Sequence, residues 1–478
     1  MTRLMECPLS QNARTFGDHP AIICNNQITT YRQFEDEVCS VVKRIKDFGV
    51  KPSERVALIG PNTLEYIIAL FALWRQGVVA CLLSTRLPEE GVRSCLQNIS
   101  CVRTLAPEEI SVPAVPARTL GKIHVPGNEQ NDSPLYAFDQ EMTIMFTSGS
   151  SGEPKAAVHT FGNHYYSAKG SNEHLAVGPT DRWLLSLPLY HVGGLGVVFR
   201  AFLAGAAVVI CESKDIIEAI LEDHATHISL VPAQLYRLLE TVEGVEALKK
   251  LKVILLGGSV AVESLLRRAV SHHLAVYVTY GLTEMSSQVA TSRCLRREDF
   301  LPQARILNDR EVRIAPDGEV MVRGKTLFKG YVSGKWIDPS VDQNGWFSTG
   351  DLGRLHADGT LSITGRKDQM FISGGENIQP EEIERCLCQM ESITQAVVVP
   401  VAHAEFGCRP VAFVSSTDGA RITRAEILDH LRHHLPKFKI PDPIYHWPKD
   451  VQEIGIKVDR RYLAQLAGQN TTDLISVN

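Results

Sequence analysis

The chain has 478 residues, of which 44% are hydrophobic and 22% charged, and carries a formal net charge of −5. That length admits two or more domains around ordinary globular cores. A net negative chain has no broad basic field to draw it to nucleic acid or an anionic membrane, so neither is expected as a partner.

The first residues, Met1 to Pro8, hold no apolar run and include Glu6, so no signal peptide is read there. The most apolar runs, 67–73 and 201–211, lie against Arg75 and Arg200 and fall short of the ~20 residues that span a bilayer. The 11 cysteines form no C-x-x-C pair, and Cys386 and Cys388 are too close for ordinary zinc spacing. They read as reduced thiols of a cytoplasmic protein.

Residues 55–60 read as a buried strand. A helix follows, capped by Asn62 or Thr63 and stopped at Gly77, and 78–83 return as a strand. Two further strand-like runs, 142–146 and 156–158, bracket the segment Thr147, Ser148, Gly149, Ser150, Ser151, Gly152, Glu153, Pro154 and Lys155. Small residues expose backbone N–H groups, hydroxyls add donors, and the lysine adds charge, which together suit a polyphosphate. A flexible linker has the same composition, but a linker is not stitched between two buried strands. The segment is neither a Walker A loop nor a G-x-G-x-x-G turn.

Short apolar strands at 183–187, 206–211, 227–231, 252–256 and 275–280 alternate with helical patterns at 216–223, 235–242 and 262–270. This predicts an α/β fold, a large N-terminal domain with mostly parallel sheets covered by helices. His191, between Tyr190 and a Gly193-Gly194 pair, fits either a mobile pocket wall or a structural histidine. His272-His273 and His433-His434 read as surface residues without metal-ligand spacing. Gly257-Gly258-Ser259 and Tyr280-Gly281-Leu282-Thr283-Glu284 follow strands at their carboxyl ends, where open α/β sheets bind ligands. Paired glycines admit a flat base, Tyr280 can stack on it, and Glu284 suits Mg²⁺ beside phosphates. Ordinary turns would look the same.

From about residue 311 the pattern changes to hairpin signals: Asp317-Gly318, Asn344-Gly345 and Asp358-Gly359. Asp351, after the Ser348-Thr349-Gly350 turn, can accept both hydroxyls of a ribose. A boundary is placed within Gly365-Arg366-Lys367-Asp368, giving domains 1–367 and 368–478, the second a small mobile α+β unit. In it, Ser373-Gly374-Gly375-Glu376 is read as a glycine loop entering a helix at 380–388. Strands at 395–399 and 411–414 and a helix at 424–433 follow. Lys457 stands alone in a tail-like stretch, where a surface charge is the usual reading.

Taken in order, the T-S-G-S-S-G-x-P-K segment, P-L-x-H, the glycine pair, Y-G-L-T-E, S-T-G-D, G-R-x-D, S-G-G-E-x-I-x-P-x-E-I-E and a late lysine resemble the AMP-forming adenylating superfamily. That superfamily includes acyl-CoA ligases, luciferases and peptide-synthetase adenylation domains, and the resemblance spans nearly the whole chain. Here Ile456 precedes the late lysine where the superfamily usually has glycine. The resemblance implies an ATP- and Mg²⁺-dependent enzyme that makes an acyl-adenylate and passes the acyl group to CoA. It implies that Thr147 to Gly152 with Lys155 hold the outer phosphates, and that Gly257, Gly258, Ser259, Tyr280 and Gly281 line the adenine site. Thr283 would meet the α-phosphate, Glu284 the Mg²⁺, and Asp351 and Arg366 the ribose. Asp368 would be the hinge and Lys457 the lysine of the adenylation step. Ser373, Gly374 and Gly375 would line the pantetheine path of CoA, and His191 and Gly258 would face the acid.

The strings 183–192, 229–239, 373–382 and 399–407 resemble more narrowly the o-succinylbenzoate–CoA ligase branch of menaquinone and phylloquinone synthesis. That branch implies a small aromatic dicarboxylic acid as substrate. Arg237 is then a candidate for the carboxylate that is not activated, or else a helix-surface arginine. A ligase for another acid, a nucleotide-binding regulator without catalysis and a carrier-loading adenylation domain are the competing readings. The carrier-loading reading is the less expected one, as no carrier segment is read in the sequence through Asn478. Monomer and homo-oligomer both stay open.

Overall fold

An apolar strand with no polar face must be covered on both sides. Arg55–Ile59 and Val79–Leu83 are two such strands, paired in parallel, and Val79–Leu83 pairs in parallel with Glu141–Ser148. The helix joining the first two, Leu64–Arg75, is capped by the Thr63 side chain on the Tyr66 N–H and is buried over most of its length. Being apolar all round, it belongs inside a core. It packs with Phe34, Phe202 and Trp183 in the largest hydrophobic cluster.

The computed structural model describes residues 3–107, 117–119, 134–148, 154–212, 214–259, 261, 263–296, 303–416, 422–448, 458–468 and 476–477. Among them, a large mixed α/β domain carries an eight-stranded and a thirteen-stranded sheet, and a small domain follows on a five-stranded sheet. Each large sheet has a parallel part extended by antiparallel strands. In the larger, parallel pairing runs through Pro20–Cys24, Ala207–Ile210, Arg182–Leu184, His227–Leu230, Val253–Leu256 and Val276–Leu282. Antiparallel pairing then begins at Ser287–Ser292, earlier than the hairpin signals suggest, because the chain turns back at once after Thr283–Met285.

Boundaries differ from the sequence reading where turn chemistry decides them. The strand expected at 183–187 is Arg182–Leu184, and the helix expected at 235–242 runs Pro232–Leu239, since proline suits a first helical position. Asn344-Gly345 closes no two-stranded hairpin. Asp342 accepts from the N–H groups of Asn344 and Trp346, and a single bridge joins Val341 to Phe347.

In the small domain, Ile393–His403 and Gly407–Ser416 form the central pair. Successive side chains of a strand point to opposite faces. Ala396 and Val398 pack on the side of Pro380–Leu387 and Arg424–His434, and Val397 and Val399 on the side of Arg460–Gly468. Ser373-Gly374-Gly375-Glu376 turns a hairpin between Phe371–Ser373 and Glu376–Ile378 rather than leading straight into the helix. The φ angles of 58° at Gly374 and 87° at Gly375 demand glycine. No described helix is long and apolar enough to cross a membrane.

Candidate active site

Two parallel neighbours end side by side, with Leu256 paired to Val278. Gly257-Gly258-Ser259 leaves the first and Tyr280 to Glu284 the second. A Cβ on Gly257 would lie 2.7 Å from Thr279 Cγ2, and one on Gly281 would lie 2.0 Å from the Ser287 carbonyl oxygen. Gly281 is therefore required by close backbone approach and Gly257 by the Thr279 side chain packed over it, and Gly258 and Ser259 are left exposed on the rim.

Tyr280 is held at its hydroxyl by the S-T-G-D turn. Its hydroxyl donates to Asp351 Oδ2 at 2.6 Å, and Arg366 Nη1 donates to Asp351 Oδ1 at 3.0 Å. Burial, then the Asp351 charge, pushes the phenol well above its ordinary range. Arg366 also grips both oxygens of Asp368, at 3.1 and 3.0 Å. The Thr349 hydroxyl accepts from the Asp351 N–H at 3.0 Å and so fixes the S-T-G-D turn.

Thr283 and Glu284 form a single 3₁₀ turn with Met285. Both carbonyls are held: His159 Nε2 donates to Thr283 O at 2.7 Å, and the Phe328 N–H donates to Glu284 O at 2.7 Å. Burial lowers His159 to about 4, so it is neutral at physiological pH. The Tyr331 hydroxyl donates to Glu284 Oε1, and Lys155 Nζ stands 5.1 Å over the Tyr331 ring. Lys155 thus reaches the Thr283–Glu284 turn through one tyrosine. Glu141–Ser148 and Pro154–Thr160 are antiparallel neighbours, with Ser148 opposite Pro154 and Thr147 opposite Lys155. Gly149, Ser150, Ser151 and Gly152 lie outside the described residues, as does the Ser148 side chain.

His191 precedes the helix Val192–Ala204, its ring 4.7 Å from that of Tyr190. Gly194 is forced there, since a Cβ would lie 2.2 Å from the Pro188 carbonyl oxygen. The same helix carries a residue that the motifs missed. Arg200 is 2% exposed and pairs with no carboxylate among the described residues. Its Nη1 donates to Gln288 Oε1 at 2.8 Å, it stacks 4.4 Å over Trp183, and its Nε has no partner. Burial, then Arg310, pulls it down to about 9. A buried cation without a counter-charge is costly unless an anion arrives. The available signal was one arginine inside an otherwise apolar helix. Arg237, by contrast, is exposed on Pro232–Leu239.

The small domain contributes separately. Ser373 is buried, and the Gly374 N–H donates to the Phe406 carbonyl at 2.9 Å. Among the described residues, no hydrogen bond or ion pair joins the Ser373–Glu376 turn to Tyr280, Glu284 or Asp351. Asp368 lies in the turn Lys367–Gln369, between Thr360–Arg366 of the thirteen-stranded sheet and Phe371–Ser373 of the five-stranded sheet. Lys457 lies outside the described residues.

Known proteins resemble the chain over both of its domains. A family model described as AMP-binding enzyme matches residues 9–332, and the AMP-binding enzyme C-terminal domain matches residues 382–452. A 2-succinylbenzoate–CoA ligase of Bacillus cereus is 32% identical over 96% of this chain and 98% of its own. Among solved structures, o-succinylbenzoate CoA synthetase (MenE) from Bacillus subtilis is similar in two states. One, in complex with the acyl-adenylate intermediate OSB-AMP, is 28% identical with a TM-score of 0.85, covering 96% of this chain and 98% of that one. The other, in complex with ATP and magnesium ion, is 27% identical with a TM-score of 0.85, covering 97% and 100%.

Proposed function

The chain belongs to the AMP-binding enzyme family, and we propose that it is an AMP-forming 2-succinylbenzoate–CoA ligase. ATP and the acid give an acyl-adenylate and pyrophosphate, and the thiol of CoA then displaces AMP. The product is destined for quinone synthesis of the menaquinone or phylloquinone type. The observation that carries the site reading is the convergence of Tyr280, Asp351 and Arg366 beside a turn tied to Lys155 through Tyr331.

The acid is already ionised, so its attack on the α-phosphate needs no general base. It brings two anions together, and catalysis is therefore positioning and charge neutralisation. Glu284 is a hard oxygen donor held by Tyr331, which fits a Mg²⁺ that shares one carboxylate with substrate phosphates. When bound, Mg²⁺ withdraws charge from the phosphate oxygens. Thr147, the loop after it and Lys155 hold the outer phosphates, and Thr283 orients the α-phosphate. Asp351 holds the ribose, and Gly257 to Ser259 leave room for the base. His191 and Gly258 border the acid. Lys457 stabilises charge during adenylation, and Asp368 is the pivot through which the small domain brings the Ser373–Gly375 hairpin to CoA. Arg200 is the buried guanidinium for the second carboxylate, a role that its lack of a carboxylate partner among the described residues supports better than the exposed position of Arg237 does.

The test is a panel of acids given ATP and CoA, with AMP, pyrophosphate and thioester measured. 2-Succinylbenzoate should exceed medium-chain and aryl-propenoic acids by at least tenfold in kcat/KM. A preference for another acid would replace the substrate. Absence of pyrophosphate with every acid would leave a nucleotide-binding regulator.

A further inference from the structure

A cluster of soft metal ligands forms on the small domain, apart from every residue used above. Cys386 lies in the last turn of Pro380–Leu387, and His430 and His434 stand one turn apart on Arg424–His434. One ligand atom from each of the three lies within 4.8 Å of the others. By sequence, His434 neighbours His433 and Cys386 nearly neighbours Cys388, and neither pair has metal spacing. The fold instead selects the i, i+4 histidines and one cysteine 44 residues before the first of them. Cys386 is buried, His430 half-buried and His434 exposed, so the cluster opens to solvent on one side.

The hydrogen bonds of the two imidazoles leave one nitrogen free on each ring. His430 Nε2 is 2.9 Å from the Cys386 carbonyl oxygen, and His434 Nδ1 is 2.8 Å from the His430 carbonyl oxygen. A carbonyl only accepts, so those nitrogens carry the protons, and His430 Nδ1 and His434 Nε2 keep lone pairs. A ring N–H given to a backbone carbonyl is the usual outer partner of a metal-bound histidine and fixes its tautomer. Glu382, one turn before Cys386, is already paired with Lys439 Nζ at 2.5 Å. The fourth position is then left to water.

We propose that Cys386, His430 and His434 form a transition-metal site of the zinc class that clips helix Pro380–Leu387 to helix Arg424–His434. One thiolate with two imidazoles suits Zn²⁺. Zn–S near 2.3 Å and Zn–N near 2.0–2.1 Å in a tetrahedron require donor separations of roughly 3.5 Å. The cluster, with separations of at most 4.8 Å, therefore needs to contract by no more than about 1.3 Å, which the exposed His434 ring permits by turning. As the metal–sulfur bond forms, the S–H bond breaks and its proton passes to solvent.

The experiment uses the full chain, stripped with a chelator and titrated with Co²⁺ alone. One equivalent should bind with a sulfur-to-cobalt charge-transfer band and tetrahedral visible bands, and Zn²⁺ should displace it. His434→Gln, a surface change that spares the core, should weaken binding by at least tenfold, and Cys386→Ser should abolish the charge-transfer band. His433→Gln and Cys388→Ser should bind as the parent does. Zn²⁺ should raise the melting temperature of the parent by roughly 5 °C and leave that of Cys386→Ser unchanged. No charge-transfer band in the parent, or an equal band in Cys386→Ser or His434→Gln, overturns the site. These readouts do not involve ligase activity, so the site and the proposed reaction stand or fall separately.

Discussion

The Tyr280 hydroxyl donates to Asp351 Oδ2 at 2.6 Å across 71 residues of sequence. A carboxylate offers about four acceptor positions. Tyr280 takes one on Oδ2 and Arg366 one on Oδ1, which leaves one on each oxygen for the two ribose hydroxyls. Asp351→Asn replaces one acceptor with a donor, and the KM for ATP should rise on the order of 10–100-fold, the range for a lost hydrogen bond to a charged group. Tyr280→Phe keeps the ring and frees the carboxylate, so KM should rise only about 3–10-fold. Initial rates against ATP concentration check both, and an unchanged KM in Asp351→Asn would remove the ribose role.

His159 should act on the reaction without touching the nucleotide, because its ring holds Thr283 O at 2.7 Å from beneath. His159→Leu leaves that carbonyl unsatisfied and frees the Thr283–Glu284 turn. A misplacement of about 1 Å costs roughly 10²-fold in rate, so pyrophosphate formation should fall by about that factor. CoA capture of a preformed acyl-adenylate should fall much less. His159→Gln, which keeps a donor, should recover most of the loss. If both half-reactions fall equally and Gln does not rescue, His159 is only a packing residue.

Lys457→Ala should lose adenylation on the order of 10²–10³-fold, as for a deleted donor to developing oxyanion charge. Supplied with acyl-adenylate, the variant should still form thioester at close to the parent rate. Single-turnover assays of the two half-reactions separate the outcomes, and equal losses would refute a lysine that serves adenylation alone.

Arg200→Gln and Arg237→Leu distinguish the two candidates for the second carboxylate. On 2-succinylbenzoate, Arg200→Gln should cut kcat/KM by about 10–100-fold, the range for a lost charged hydrogen bond. On an analogue lacking the ring carboxylate, the same variant should lose far less, since the group it serves is absent. Arg237→Leu should change neither by more than about threefold, as an exposed charge is screened by solvent. The reverse pattern would return the role to Arg237.

The strand–helix–strand unit at 55–83 was legible because each boundary carries local chemistry: a Thr63 cap, a Gly77 stop with φ of 66°, and uninterrupted apolar runs between. The hairpin strands around Asp317-Gly318 and Asp358-Gly359 were legible for the same reason. Tyr280, Glu284 and Asp351 were visible as motif members, but their partners were not. Tyr331 lies in no motif and meets Glu284 only because Pro154–Thr160 pairs with Gly330–Ser333 and brings that edge under the turn. His159 looks like any inward residue of a strand until the fold sets Thr283 above it. Arg200 sat at the end of an apolar run and read as punctuation. Its burial depends on Trp183 and Gln288, which come from other parts of the chain.

Three buried histidines should make the large domain acid-sensitive. Burial lowers His159 and His227 to about 4 and holds His164 well below its ordinary value, with the neighbouring His159 adding to the effect on His164. The unfolded side chains titrate near 6.5. Between about pH 6.5 and 4 the unfolded chain therefore binds protons that the folded chain refuses. Stability is complete above 6.5 and falls as pH drops toward 4, by about 1.4 kcal/mol per pH unit and about 3 kcal/mol across the window for each of His159 and His227, with His164 acting in the same direction. Urea unfolding at a series of pH values should show this slope, and His227→Gln should reduce it by up to one proton's worth while His433→Gln, at an exposed site, should not. A slope unaltered by His227→Gln would mean that the folded protein already accepts a proton there, beside Asp181 at 4.0 Å.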